Sequence, residues 1–125
     1  MEDKKSILVI DDSPTMRKMT VGVLVSMGYE VAERSDGTDG IRAYDDGDYN
    51  LVITDYHMPG GKNGMDVIKH IVKSDRGIPV VMLSTMSDGE TQRQALACGA
   101  SGYVVKPFVP NSFKNYVKEI LSDNA

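Results

Sequence analysis

Five short runs, mostly apolar and rich in β-branched residues, alternate with longer segments of helical period, and this alternation constrains the fold more than any other feature. The runs are residues 7–10, 30–34, 51–54, 80–84 and 103–105. The nearly unbroken apolar character of "ILVI", "LVIT" and "VVMLS" requires burial on both faces, as in a parallel sheet covered by helices. Strand followed by helix, repeated along the chain, predicts an α/β fold: one doubly wound (βα)5 domain around a five-stranded parallel sheet. The chain has 125 residues, enough for one core and too few for two, so residues 1–125 are expected to form a single domain with no output domain.

The helical segments differ in how firmly they should pack. Ser13 can cap and Pro14 can open the first helix, with Met16, Met19, Thr20, Val23 and Met27 on one face as packing and Gly28 closing it. The second, residues 38–46, has only Ile41, Ala43 and Tyr44 as apolar weight. The third, residues 64–74, repeats Val67, Ile68, Ile71 and Val72, with Lys69, His70 and Lys73 outward. In the fourth, Ser87 and Glu90 match a capping box, but only Ala95, Leu96 and Cys98 stand behind them, so this helix should be loosely held. The last, residues 111–122, carries Phe113, Val117, Ile120 and Leu121 on one face.

Charge and cysteine usage exclude several function classes. A net charge of -4, from 14 basic and 18 acidic residues, with no basic run, offers little attraction to nucleic acid or to an anionic membrane surface. Cys98 is the single cysteine and reads as a small buried hydrophobe. Residues 1–5 are polar and lack the apolar region of a signal peptide, and no run approaches the ~20 apolar residues of a spanning helix. A cytoplasmic location is expected.

The chemistry lies where the strands stop. In a doubly wound sheet every strand's carboxyl end faces one edge, and ligands bind in the crevice there. Asp11 and Asp12 follow the first strand, Asp55 the third, Ser84 closes the fourth and Lys106 follows the fifth. Three carboxylates in one crevice repel one another unless a cation joins them, and an all-oxygen donor set suits a hard ion such as Mg2+. Mg2+ usually takes one or two carboxylates and keeps coordination free for a phosphate oxygen, so a carboxylate with a metal and a lysine beside it suits a phosphoryl group. Asp55, at the end of the central strand, is the best-placed carboxylate nucleophile, and being already ionised it needs no general base.

The segments "VIDDSPTMRK", "LVITDYHMP", "VVMLST" and "GASGYVVKPF", in this order and spacing, resemble the receiver domain of two-component response regulators, most closely the free-standing chemotaxis type. The resemblance covers essentially the whole chain. It implies the flavodoxin-like strand order 2-1-3-4-5 and a phosphoacceptor signalling protein that catalyses only its own phosphorylation and dephosphorylation. Carried over by residue, it implies that Asp55 takes a phosphoryl group from a histidine kinase in a Mg2+-dependent reaction. Asp12 and Asp55 would bind the metal, Asp11 would act on it through water, and His57 would supply its backbone carbonyl. Ser84 and Lys106 would each meet a phosphoryl oxygen, Tyr103 would turn inward on activation, and the bond from Lys106 to Pro107 would be cis. The implied partners are the kinase, a downstream target that by analogy is the flagellar motor switch, and a phosphatase, with the chain itself a monomer.

Two departures bear on the site. "PGGKNG", residues 59–64, is one residue longer than the usual spacing before the third helix, and His57 and Met86 stand where family members tune the lifetime of the phosphorylated state. Two further functions remain compatible with the residues. One is a phosphorelay intermediate that hands its phosphoryl group to a histidine phosphotransfer protein. The other is a phosphatase working through an aspartyl phosphate, which is disfavoured because such hydrolases place a second acid where this chain has His57. A dinucleotide-binding fold is disfavoured because "DDSPTM" lacks a glycine-rich turn.

Overall fold

The apolar runs at 7–10, 51–53 and 80–83 are almost wholly removed from water, and the sheet they form organises everything else. The computed structural model describes residues 4–122. In chain order the elements are β1 (Ser6–Ile10), α1 (Pro14–Ser26), β2 (Glu30–Arg34), α2 (Gly37–Asp46), β3 (Leu51–Thr54), α3 (Gly64–Lys73), β4 (Val80–Ser84), α4 (Gly89–Ala97), β5 (Gly102–Val105) and α5 (Pro110–Ser122). The strands are all parallel, in the order β2-β1-β3-β4-β5, as the resemblance implied. Strand side chains alternate between two cores. Leu8, Ile10, Val52, Val80 and Met82 pack under α2, α3 and α4 with Tyr44, Ile68, Ile71 and Ala95, while Ile7, Val9, Leu51, Ile53, Val81 and Leu83 pack under α1 and α5 with Leu24, Phe113, Val117 and Leu121. Strand order reverses between β1 and β3, which opens the crevice at their carboxyl ends.

Several local expectations are corrected by packing. Leu24, not Met19, anchors α1: Leu24 and Thr20 are buried, whereas Met19 is 45% exposed. Val72 is 46% exposed, because α3 turns Val67, Ile68 and Ile71 to the sheet and leaves Val72 at the rim beside Gly99. His70, expected on an outward face, is half-buried with its Nε2 2.7 Å from Asp45 Oδ1, because α2 lies alongside α3. The cap of α4 is Asp88 and not Ser87: the Asp88 carboxylate accepts from the Thr91 amide at 2.8 Å and the Thr91 hydroxyl at 2.9 Å, and Glu90 pairs with Arg93 instead. Leu96 is 51% exposed and Cys98 half-buried, so α4 buries only Thr91 and Ala95. Its hold on the sheet is thinner still than the sequence suggests. Element ends shift by one residue at Ser6, Gly37, Lys73, Gly102 and Pro110.

The burial pattern makes a direct prediction. Leu24→Ala leaves a cavity in the core under α1 and α5 and should cost about 3 kcal/mol in urea unfolding, whereas Met19→Ala should cost less than about 0.5 kcal/mol. Equal losses would show that α1 is rotated from the position described.

Candidate functional site

Asp11 directly follows β1 and is held to the neighbouring strand. Its amide donates to the Arg34 carbonyl at 3.1 Å, extending the ladder to β2, and its Oδ1 accepts from the Ser13 amide at 2.9 Å. Ser13 in turn caps α1 through its hydroxyl, which accepts from the Met16 amide at 3.3 Å, with Pro14 opening the helix. The chain therefore turns sharply enough to leave Asp12 exposed at the crevice while Asp11 is buried. Asp55 is placed by the same logic from β3: its amide donates to the Ile10 carbonyl at 2.8 Å, and its Oδ1 accepts from the Tyr56 amide at 2.7 Å. One carboxylate oxygen from each of Asp11, Asp12 and Asp55 lies within 4.8 Å of the others.

Lys106 closes the group from the far side of the sheet. Its amide donates to the Ser84 carbonyl at 2.8 Å, and its bond to Pro107 is cis. The side chain is 4% exposed, and Nζ lies 2.8 Å from Asp11 Oδ2 and 3.5 Å from Asp55 Oδ2. A single ammonium thus faces three acids. Burial of Asp55, with the negative charges of Asp11 and Asp12 beside it, pushes its carboxyl up to about 6 from 3.8, against the pull of Lys106 and the Tyr56 amide. Such a pocket suits a divalent cation: the donors are all oxygen, they are close enough to share one ion, and their charge is only partly balanced.

The other residues expected at the site take distinct places. Ser84 is buried at the end of β4, and its hydroxyl oxygen accepts from the Met86 amide at 3.1 Å. The half-buried Tyr103 donates its hydroxyl to the Met86 carbonyl at 2.5 Å; burial raises its phenol above the ordinary value, with the Ser84 hydroxyl opposing. Both polar backbone groups of Met86 are therefore tied, one to each of these side chains. His57 is exposed with its ring 4.6 Å from that of Tyr56. The long loop before α3 is made possible by Gly60 and Gly61, both left-handed at φ 84° and 85°. It ends in a capping box between Asn63 and Asp66.

Sequence reasoning missed Gly64. Its amide donates to the Tyr56 carbonyl at 2.8 Å, and a Cβ there would run into the Asp55 carbonyl oxygen, so only glycine lets α3 begin directly beside Asp55. The sequence reading starts this helix at residue 64, and the capping pattern of Asn63 and Asp66 around "NGMD" agrees with that start, but neither shows the close approach.

Residues 7–118 match the response regulator receiver domain family. The chain belongs to that family. Among relatives of this receiver, chemotaxis protein CheY1 of Helicobacter pylori is 35% identical over 122 residues, covering 94% of this chain and 98% of that protein. The DNA-binding response regulator MtrA of Mycolicibacterium smegmatis is 35% identical over 121 residues, covering 97% of this chain but 52% of that protein. The solved structure of response regulator protein TrrA from Thermotoga maritima, in complex with Mg2+ and BeF, has a TM-score of 0.84 at 33% identity, covering 94% of this chain and 99% of that one. Receivers of this kind are signalling proteins of two-component systems and not enzymes acting on a separate substrate, and they bind Mg2+ in an acidic pocket. Among the described residues no helix is long and apolar enough to cross a membrane.

The raised Asp55 carboxyl has a measurable consequence in the metal-free receiver. Because the folded state binds this proton more tightly than the unfolded chain, ionised Asp55 costs stability above pH 6, and the cost fades as pH falls toward 4. Asp55→Asn should therefore stabilise the Mg2+-free receiver at pH 7.5 by roughly 1–2 kcal/mol, allowing for the carboxylate's partial exposure, and by about a third as much at pH 4.5. Urea unfolding at the two pH values checks this, and an equal gain at both would contradict it.

Proposed function

We propose that this chain works as a stand-alone response regulator in the cytoplasm: Asp55 accepts a phosphoryl group from a histidine kinase in a Mg2+-dependent reaction, and the switched form binds a target protein. The observation that carries the reading is the single buried ammonium of Lys106 set between Asp11 and Asp55 at 2.8 and 3.5 Å, with Asp12 at the open side of the same cluster. An incomplete charge balance of this kind is what a phosphoryl group with its cation would complete.

In the transfer, a carboxylate oxygen of Asp55 forms the new bond to phosphorus as the bond to the phosphohistidine nitrogen breaks, and the electron pair leaves with the imidazole. Asp12 and Asp55, with Asp11 through water and the His57 carbonyl, would hold Mg2+, which when bound supplies positive charge to the phosphoryl oxygens. The Tyr56 amide keeps Asp55 oriented, since it already holds Oδ1. Lys106 needs only a small shift toward Asp55 to meet a phosphoryl oxygen, and the Ser84 hydroxyl, whose oxygen accepts from Met86, keeps its own proton to donate to another. Ser84 cannot move without pulling on the Met86 amide, and Met86 is also gripped by Tyr103. The strain passes to α4, whose shallow burial makes rearrangement inexpensive. A few kcal/mol of differential stabilisation suffices to invert a two-state population.

Full-length similarity to a chemotaxis protein supports a chemotaxis role, with the flagellar motor switch as the proposed target and a dedicated phosphatase as a further partner. The phosphorelay alternative differs in one property, rapid return of the phosphoryl group to a histidine phosphotransfer protein.

Incubation with Mg2+ and acetyl phosphate should add one phosphoryl group, read by intact mass, and Asp55→Asn should abolish the gain. Asp12→Ala should weaken Mg2+ binding by at least about tenfold while His57→Ala, which keeps the backbone carbonyl, changes it little. Phosphorylation of Asp55→Asn at the native rate would overturn the assignment.

A further inference from the structure

We propose that Arg17 is a positioning residue for the metal pocket: its guanidinium, anchored on Glu33, sets the direction in which Asp12 points. The proposal rests on the reading of Asp12 as a metal ligand. Arg17 lies in the first turn of α1, its amide bonded to the Ser13 carbonyl at 2.8 Å. Its side chain reaches back over the loop, where Nη1 donates to the main-chain carbonyl of Asp11 at 2.7 Å and Nε donates to Glu33 Oε1 at 2.9 Å. Glu33 stands on β2, opposite Val9 in the β1 register. Because the guanidinium is planar and its donors are fixed relative to one another, gripping Glu33 determines where Nη1 can be.

The Asp11 carbonyl and the Asp12 amide belong to one rigid peptide plane. A hydrogen bond on that carbonyl therefore fixes the rotation of the plane and with it the direction in which the Asp12 side chain leaves the backbone. Asp11 is otherwise held at its amide by Arg34 and at both carboxylate oxygens by Ser13 and Lys106, so the carbonyl is the remaining polar group through which the turn can be steered. Asp12 is exposed and accepts no hydrogen bond among the described residues, so its aim depends on the backbone beneath it. Glu33 has a second effect. It occupies the Arg17 charge on the far side of the loop, which keeps the guanidinium from swinging into the acids and competing with a cation.

The arrangement is distinguishable from a structural surface ion pair. Arg17 and Glu33 side chains are 18% and 46% exposed, and pairs of that kind contribute little to stability, so a merely structural role predicts little change of any sort. The positioning role predicts a selective loss of metal affinity. Titration calorimetry with Mg2+, together with the rate of phosphorylation by acetyl phosphate as Mg2+ is varied, should show Arg17→Met weakening Mg2+ binding about tenfold. The half-saturating Mg2+ should rise by the same factor, with the plateau rate and the urea midpoint nearly unchanged. Arg17→Lys, which reaches the carbonyl but cannot hold both partners, should recover part of the loss. Glu33→Gln, a mild change that keeps the fold, should weaken binding less than Arg17→Met and add nothing in the Arg17→Met background, because it acts only through Arg17. Native Mg2+ affinity in Arg17→Met, or a full additional loss from Glu33→Gln in that background, overturns the proposal while leaving the site assignment standing. Native affinity in Asp12→Ala overturns the site assignment and this proposal with it.

Discussion

The ammonium of Lys106 is the charge around which this structure is arranged. It is buried with Asp11 and close to Asp55, and neither the lysine nor the inner acid would be tolerated there alone, since an unpaired buried ion costs far more than a paired one. Every element that reaches the crevice serves that meeting. β1 delivers Asp11, β3 delivers Asp55, and the Lys106 amide on the Ser84 carbonyl brings β5 to the right height beside β4. One positive charge against three negative ones leaves the pocket short of cation, and burial, with the charges of Asp11 and Asp12 added to it, pushes the Asp55 carboxyl above its ordinary value. A cation placed there would relieve that imbalance.

Rigidity and looseness are distributed accordingly. The inner strands are buried from Ile7 onward in β1 and throughout β3 and β4, and the loop after β1 is pinned through Asp11 on several sides. Beyond Ser84 the structure is more lightly held: Met86 hangs between a serine and a tyrosine, and α4 rests on Thr91 and Ala95 alone. In the proposed switch, a charge change at Asp55 would act on a stiff floor and a yielding wall, and displacement would be channelled toward β4, α4 and β5.

Much of this was legible in the chain. The runs that became β1, β3 and β4 could be read because residues buried on both faces have no polar alternation to confuse them, and the acids, the hydroxyl and the amine at their ends could be read because each directly follows such a run. Less legible were features in which a residue answers to a distant neighbour. Ser87 and Asp88 are both able to cap, and the choice fell to Asp88, whose carboxylate meets both the amide and the hydroxyl of Thr91. Met19 and Leu24 are both apolar on one helix, and only the position of α1 over the sheet and beside α5 decides which is buried. Gly64 looks like a loop glycine until the Asp55 carbonyl is seen against it.

By itself the sequence determined the strands, their parallel arrangement and the set of acids, hydroxyl and amine carried to one edge, because hydrophobic period and strand-end position are local properties. Only the tertiary structure decided how those groups divide their work. Lys106 pairs with Asp11 more closely than with Asp55, Asp12 is left open to solvent, and Arg17 turns away from the acids to grip a backbone carbonyl and Glu33. These outcomes depend on distances across the sheet of a few ångströms, and electrostatic energy in a buried crevice changes steeply over that range.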